Sequence, residues 1–448
     1  MREHTTDALA LVAGLTPVAA LLGPFVTVPQ ADYINITVVC VLALSLCLAL
    51  RLRGERRPEL FGPVWPFALY FILLMGYALV SLVWVRDIQF SFLNTLCIQL
   101  SGVAMLLAIA AGVRSREDLL WLLDVLTVCL SLVVLLGCFE IFTGRYLFPN
   151  DNPELYLKNI YGRFFPYATF HNTNNYSAFV TLTLPFAVYD LVCRLGGRKG
   201  ALCGVLLGGV SIFTLLNADP RACYIGIAVM AVAFVAALPG RVLRSRGMVP
   251  VWLALLAGVG LVAARKGGKL LAELHTLNLS NHSVSERLML TRAAFRMMPD
   301  YHFMGVGAGN YIQLLPYYSP SIKHINLHNM TLQILTEYGI PMFVLYVAVL
   351  VALAVGFFRR RRAGGRDGLL AVVGFMTVCA FPVVGIAASD ATRDATTWIF
   401  LGVLLAARKR LLTPQGITSQ DTPLGGLSWR RPGEKSGRMR RNAHKKLR

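Results

Sequence analysis

Long apolar runs alternate with short polar stretches along nearly the whole chain. Each run holds about 18 to 25 residues, the length that an α-helix needs to cross a hydrocarbon layer of roughly 30 Å. The pattern therefore predicts an all-α, polytopic integral membrane protein with about twelve transmembrane helices. We place these helices near residues 8–28, 34–50, 64–85, 92–112, 118–142, 174–193, 200–217, 222–240, 248–264, 328–357, 368–388 and 395–407.

Composition supports this class of protein. The 448 residues are 56% hydrophobic and 15% charged, with a mean hydropathy of +0.60, whereas soluble domains are nearer to one quarter charged. The first apolar run lies within MREHTTDALALVAGLTPVAALLGPFVTV and shows no clear signal-peptidase site. We therefore expect it to remain in the protein as the first span.

Basic residues alternate between the two sides that these spans define. About 30 of the 43 lysines and arginines fall on one side, in clusters such as 51–57, 194–199 and 359–362 and in the C-terminal tail. Cytoplasmic loops carry such an excess, so we expect a cytoplasmic-membrane protein with both termini in the cytoplasm. This bias explains the net charge of +20, and we predict membrane lipids rather than nucleic acid as partners.

The spans divide the chain into a membrane domain and a tail. Residues 1–410 form the predicted membrane domain, and 411–448 form a basic cytoplasmic tail. We expect this tail to be disordered, either solvated or in contact with anionic lipid headgroups. Two extracytoplasmic loops are long, at 144–173 and 265–327. A loop as long as the second one, with a helical pattern of its own, is usually functional.

The segment SVSERLMLTRAAFRMM at 283–298 predicts an amphipathic helix within the larger loop. Ser283 and Glu286 have the spacing of a capping box, and Pro299 is expected to stop the helix. The glycine-rich stretch MGVGAGNY follows at 304–311. Its backbone N–H groups could approach a phosphate, but it lacks the strand–turn–helix setting of a dinucleotide motif. A plain turn is the simpler interpretation.

The sequence indicates neither a metal site nor a cofactor. The nine cysteines lie in or beside apolar segments without a CxxC pair, as small buried hydrophobes do. The sequence has no clustered carboxylates suited to Mg²⁺ or Mn²⁺, no G-x-S-x-G or HExxH motif and no Walker loop. Phosphate chemistry in this chain would therefore depend on arginine.

Polar residues of the spans gather at the predicted extracytoplasmic ends, which indicates a site at that surface. These residues are Asn172, Asn174, Asp219, Arg221, Arg287, His328, Asn329, Asp390, Arg393 and Asp394.

Arg221 stands in NADPRACYIG, where Asp219 and Pro220 fit the N-cap and the first residue of a helix. A cation is disfavoured at the positive end of a helix, but a helix N-terminus with a guanidinium is a good receptor for an anion. The segment favours a phosphate clamp, with an interfacial arginine bonded to Asp219 or to loop carbonyls as the alternative.

Three arginines lie on the external helix. Arg287 stands in its first turn, as Arg221 does in its own helix. Arg292 and Arg296 are one turn apart and share a face, which is either solvated or part of the site.

His328 is predicted in the first turn of the tenth span. The positive helix end disfavours imidazolium, so we expect a neutral ring that can accept a proton from a hydroxyl; a histidine bonded to headgroups is the alternative. Asn329, Gln333 and Glu337 recur every four residues and form a polar stripe. Glu337 would lie within the bilayer, where a carboxylate is usually paired. Gly339 and the nearby proline predict a kink.

Together these features resemble the O-antigen ligase and O-antigen polymerase superfamily of bacterial membrane glycosyltransferases. Members of that superfamily tend to carry a TF-x-N-x-N stretch before a span, here TFHNTN at 169–174. They carry an arginine at the outer start of a span, here Arg221 in DPRACYIG. They also carry an arginine that opens the external helix, here Arg287, followed by a glycine turn, here PDYHFMGVGAGNY.

The ligase signature is His-Asn, nine residues, a glycine, two residues and then a small or aromatic residue. His328, Asn329 and Gly339 fit this signature, and Met342 departs from it. The resemblance is therefore to the superfamily more than to the ligase subclass.

The resemblance implies a metal-independent, inverting transfer on the outer face of the cytoplasmic membrane. The donor would be a glycan on undecaprenyl pyrophosphate, and the acceptor a sugar hydroxyl on a lipid-linked saccharide such as lipid A–core or a growing polymer. His328 would accept the proton, and Arg221 and Arg287 would hold the departing pyrophosphate. The residues expected to bind substrate are Asn174, Asn329, Asp390, Arg292 and Glu337.

Other functions remain open. The same chemistry would serve a polysaccharide polymerase or a protein O-oligosaccharyltransferase of this superfamily. A flippase for lipid-linked oligosaccharides would have a similar number of spans. Such a transporter usually places its charges near mid-membrane between related halves, and this chain shows no half-to-half similarity.

Overall fold

The computed structural model describes residues 8–22, 27–28, 31–54, 60–148, 158, 162–170, 172–238, 260, 282–320, 327, 329–386, 388 and 391–413. All structural statements below concern these residues. The predicted span at 248–264 lies outside them except for residue 260, and so does the predicted tail from residue 414 onward.

The described chain is built mainly of helices. The helices of its first half are α1 (Ala8–Leu22), α2 (Ile36–Gly54), α3 (Trp65–Ser81), α4 (Ile88–Gly112), α5 (Arg116–Thr143), α6 (Thr173–Leu195), α7 (Gly197–Ala218) and α8 (Arg221–Ala237). Those of its second half are α9 (His282–Asp300), α10 (Asn310–Tyr318), α11 (Met330–Arg360), α12 (Gly365–Val384) and α13 (Ala395–Leu412).

A small antiparallel hairpin interrupts this helical order. Its strands are β1 (Thr27–Val28) and β2 (Ala31–Asn35). The helix in the predicted first span at 8–28 therefore ends early, at Leu22, and the hairpin is a local exception in an otherwise helical fold. Proline supplies the physical reason, because Pro24 and Pro29 interrupt the apolar run and proline cannot donate the hydrogen bond that an interior helical position requires.

Helices occupy every predicted span position other than 248–264. By length and apolar composition, seven helical segments in the described residues can cross a membrane, which is fewer than the predicted twelve. They are Gly62–Ser81, Ile88–Gly112, Arg116–Thr143, Thr173–Leu195, Gly197–Ala218, Met330–Arg360 and Gly365–Val384. The apolar helices at Ala8–Leu22, Thr37–Arg51 and Arg221–Ala237 are shorter.

The loops that connect the helices lie at the two ends of the bundle. At the end that we call the upper end, the turn after α3 contacts the glycine-rich turn, and the start of α11 contacts the end of α12. At the opposite end, which we call the basic end, Arg194 pairs with Asp124. The segments that the charge pattern places outside the cytoplasm thus meet one another at the upper end.

The last helix is fastened at the basic end by a buried lysine. Lys409 is 7% exposed. Its Nζ donates to Leu60 O at 3.1 Å, Ala110 O at 2.9 Å and Ala111 O at 3.2 Å. The last carbonyls of a helix have no partners within it and carry the negative end of its dipole. Lys409 therefore satisfies the end of α4.

Lys409→Met should lower the midpoint of thermal unfolding in detergent. The substitution keeps the apolar volume but removes the donor, and each buried carbonyl left without a partner costs about 1–3 kcal/mol. Lys199→Met is the matched control, because Lys199 is exposed at the start of α7. Equal midpoints for the two variants would contradict the role given to Lys409.

Candidate functional site

The start of α11 is fixed at the upper end. Asn329 is the N-cap of α11, and its side chain accepts from Leu332 N at 3.1 Å. Met330 N donates to Gly385 O at 3.3 Å, which ties this start to the end of α12. His328, the predicted base, lies outside the described residues, but its position in the chain is flanked by buried Leu327 and half-buried Asn329.

The external helix α9 packs against this start through an apolar face. A cluster of buried residues joins the two helices with α10. Its members are Leu290, Ala293, Ala294, Met297, Val306, Tyr311, Leu315, Leu327 and Leu332. The helix predicted at 283–298 is therefore confirmed, and it runs one residue past Pro299. The predicted capping-box side chains lie outside the described residues.

This packing separates the three arginines of α9. Arg287 lies one turn before Leu290 and is half-buried, so it shares the packed face that faces Leu327 and Leu332. Arg292 and Arg296 are both exposed. Arg287 is therefore on the half-buried side of α9, and the other two arginines are on its outward face.

Arg221 is the first residue of α8 and is exposed at the upper end. Within α8, a side chain added at Gly226 would contact Val384, the residue before Gly385. Gly226 of α8 thus packs against the end of α12, whose next residue, Gly385, accepts from Met330 N at the start of α11. Arg221 therefore belongs to a helix that packs on the end of α12, and Arg287 belongs to a helix that packs with the start of α11.

The local capping at Arg221 differs from the prediction. Asp219 is the C-cap of α7, with φ 55° in the left-handed region, and Pro220 is the N-cap of α8. The sequence pattern assigned Asp219 as N-cap and Pro220 as the first helical residue, and both assignments are wrong. Two residues must reverse the chain between two helices, and aspartate is one of the few side chains that tolerates the left-handed conformation.

A second pair of helix starts meets nearby. Asn172 caps α6 by accepting from Asn175 N at 2.9 Å. Asp394 caps α13 by accepting from Thr396 N at 2.9 Å, and its other oxygen accepts from Asn175 Nδ2 at 3.3 Å. The predicted binding residue Asn174 is half-buried beside this bridge.

Asp390 lies outside the described residues, between buried Ala388 and Ala391.

The helix α11 is broken at Gly339, where φ is 74° and ψ is 178°. The break frees two carbonyl groups. Thr336 O accepts from Val306 N and Glu337 O accepts from Gly307 N, both at 2.9 Å. The glycine-rich turn is therefore bonded into the break, which confirms the predicted kink.

Glycines at positions 305 and 339 allow the glycine-rich turn to pack closely against the break in α11. A Cβ added at Gly305 would lie 2.5 Å from Glu337 O and from Gly339 N, and one added at Gly339 would lie 2.5 Å from Met304 O and Phe303 O. Gly305 itself has φ 95°. Side chains at either position would collide with backbone atoms, so the two segments approach this closely only as glycines.

Other polar groups of the glycine-rich turn also have hydrogen-bond partners. Ala308 N donates to Ser81 Oγ at 3.1 Å, Asn310 N donates to Gly307 O at 3.2 Å, and Asn310 Oδ1 accepts from Arg86 N at 3.1 Å. Amides that already bind protein oxygens do not offer a phosphate cradle. The structure therefore supports the plain-turn interpretation of MGVGAGNY.

The break also positions Glu337. Its side chain is buried. Burial of Tyr311 on α10, together with the charge of Glu337, raises the pKa of Tyr311. Glu337 O accepts from Gly307 N, so the backbone of Glu337 lies beside the glycine-rich turn at the upper end.

Sequence reasoning missed Glu140, in the last turn of α5. This carboxylate is fully buried and binds two loop amides, Tyr167 N and Ala168 N. The available signal was a lone carboxylate near the end of a long apolar run.

No group of three or more His, Cys, Asp or Glu side chains that could hold a metal ion occurs in the described ranges.

The fold and the site define a class of protein: a helical integral membrane protein whose arginine-bearing helix starts and polar caps meet at one end of the bundle. Residues 206–347, about a third of the chain, match the family model described as O-antigen ligase, which supports the resemblance to the O-antigen ligase superfamily. The match supports a membrane glycosyltransferase of the O-antigen ligase or polymerase type. No curated protein matched the chain.

Proposed function

We propose that this protein transfers a glycan from an undecaprenyl-pyrophosphate carrier to a sugar hydroxyl of a second lipid-linked saccharide, on the extracytoplasmic face of the cytoplasmic membrane. The observation that supports the proposal is the packing of three elements at the upper end. The helix α8, which begins at Arg221, packs on the end of α12; the end of α12 accepts from the start of α11; and α9, which carries Arg287, packs with that same start.

The proposed reaction is a direct displacement. His328 accepts the proton of the acceptor hydroxyl, and the freed oxygen attacks the anomeric carbon of the donor sugar. The bond between that carbon and the pyrophosphate oxygen breaks, the configuration inverts, and the carrier pyrophosphate leaves with the electron pair. Arg221 and Arg287 stabilise the charge that grows on the leaving group.

Other polar residues of the upper end would bind the sugars. Asn329 caps the helix beside the base, and Asn174 lies beside the Asn175–Asp394 bridge. We assign these two residues, with Glu337, to recognition of sugar hydroxyls. Asp390 would orient His328 or bind a sugar, and exposed Arg292 would contact a more distant part of the substrate.

Reconstitution tests the function directly. Purified protein in liposomes with a defined lipid-linked donor should join it to an acceptor without ATP and in the presence of a chelator. His328→Ala should abolish the product because the proton acceptor is removed. His302→Asn is the matched control, since His302 is exposed and asparagine also tolerates its φ of 51°. Full activity of His328→Ala would refute the proposed base.

The product distinguishes the related functions. Glycan on lipid A–core indicates a ligase, longer chains on the carrier indicate a polymerase, and glycan on a protein indicates an oligosaccharyltransferase. Movement of the donor across the bilayer without any joined product would indicate a flippase. The gathering of polar groups at one end rather than at mid-membrane favours the enzymes over the flippase.

A further inference from the structure

Glu140 lies in the last turn of α5, and its side chain has no exposed surface. Its Oε2 accepts from Tyr167 N at 2.7 Å and from Ala168 N at 2.8 Å. Its Oε1 has no hydrogen-bond partner among the residues that the structure describes. Burial of a carboxylate is costly unless it is hydrogen-bonded, and both of these hydrogen bonds join Glu140 to the loop between α5 and α6.

The bonded loop has a conformation that it would not adopt alone. Ala168 has φ 49°, in the left-handed region that non-glycine residues rarely occupy. Phe170 N donates to Tyr167 O at 2.9 Å and closes the turn. Tyr146 OH also holds the loop by donating to Phe165 O at 3.1 Å. Two consecutive N–H groups that point at one carboxylate oxygen therefore define the shape of residues 165–170.

This turn leads directly into the polar caps of the upper end. Two residues beyond Phe170, Asn172 caps α6. The next helical turn carries Asn174 and Asn175, and Asn175 Nδ2 donates to Asp394 at 3.3 Å. A change in the path of residues 165–170 would shift these caps relative to α13. Glu140 is therefore connected to the substrate side of the bundle through the backbone.

We propose that Glu140 is a positioning residue: it fixes the loop before α6 so that Asn174 is presented to the lipid-linked saccharide. This inference rests on the proposed function. Glu140 acts through the acceptor oxygen that reaches the two amides, and its negative charge is not what the site requires.

Two substitutions separate reach from charge. Glu140→Gln keeps an acceptor oxygen at the same distance, and both amides bind a single oxygen, so both bonds survive. Glu140→Asp keeps the charge but is one methylene too short. We expect Gln to leave KM within about twofold and Asp to raise KM about tenfold or more, with a smaller change in kcat, because the shorter side chain no longer reaches the two loop amides.

Hydrogen exchange provides a readout that does not depend on activity. The amides of Tyr167 and Ala168 should stay protected in Glu140→Gln and exchange faster in Glu140→Asp. Ile141→Ala is the matched control, because Ile141 is buried next to Glu140 and its truncation loosens packing without touching the loop amides. It should leave KM and the two protected amides unchanged.

A rescue variant keeps the test decisive where a single substitution impairs folding. Adding Ala168→Gly to Glu140→Asp should reverse part of the increase in KM, because glycine adopts the positive φ without strain. Wild-type kinetics and exchange in Glu140→Asp would overturn the proposal, and so would an equal KM increase in Ile141→Ala. If the wild-type protein transfers no glycan at all, the proposed function fails, whereas the exchange measurements still test Glu140.

Discussion

Arg221→Ala and Arg287→Ala should each lower the rate of glycan transfer about 10²- to 10³-fold, the usual effect of removing one group that stabilises a developing negative charge. Arg221 begins a helix that packs on the end of α12 at Val384, and Arg287 lies on a helix that packs with Leu327 at the start of α11. The loss should appear in kcat, because the pyrophosphate charge grows only as the glycosidic bond breaks.

Two comparisons make this result specific. Arg296→Ala, on the same helix as Arg287 but exposed on its outward face, should keep its activity within about twofold, as surface changes away from a site usually do. Lysine at 221 or 287 should give intermediate rates, because it keeps the charge but loses the bidentate fork. Full activity of either alanine variant, in protein that inserts normally, would remove that arginine from the mechanism.

The second large effect is expected at Gly339. Its φ of 74° and ψ of 178° fall in a region that is essentially open only to glycine. Gly339→Ala should therefore cost about 1–3 kcal/mol in backbone strain alone, and the added Cβ would also collide with Met304 O. We expect a lower midpoint of unfolding and a transfer rate at least tenfold lower, measured well below that midpoint.

The loss of rate follows from geometry. Thr336 O and Glu337 O, just before the break, accept from Val306 N and Gly307 N. A straightened helix would lose these bonds and move the start of α11 relative to α9. Gly76→Ala is the control, because Gly76 lies inside α3 with open space around its Cα. Alanine there should be neutral or slightly stabilising. A Gly339→Ala protein with normal activity and midpoint would show that the break is not needed.

Local patterns were enough to predict most helices of the bundle. Long apolar runs predicted the positions of α3 to α8 and of α11 to α13, and the amphipathic pattern predicted α9. The kink at Gly339 also followed from its sequence, because glycine followed closely by proline is a local signal. These features depend on neighbours within a few residues.

Features that depend on distant partners were not predictable. The glycine-rich turn acquires its role from the freed carbonyls of Thr336 and Glu337, some thirty residues further along, and one sequence does not reveal which segments meet. Glu140 has the same difficulty, since its amides lie across a loop. Asp219 is a C-cap rather than the predicted N-cap, because the chain must reverse tightly between α7 and α8.

For the candidate site, the sequence predicted that polar groups gather at one end. The helices of Arg287 and Asn329 pack together there, and the helix of Arg221 packs on the adjoining end of α12. Arg292 remains on an exposed surface. The catalytic roles of these residues stay predictions, because packing shows which elements are close and does not show which reaction their side chains catalyse.

The buried lysine of α13 sets an order on biosynthesis. The ribosome makes Ala110 and Ala111 long before Lys409, so their carbonyls lack this hydrogen-bond donor during most of translation. Gly102 likewise lacks its packing partner until Trp398 is made, because the ring of Trp398 covers it. A nascent chain released before α13 would leave the end of α4 unsealed, and quality-control proteases would meet an incomplete bundle rather than a slightly shortened one.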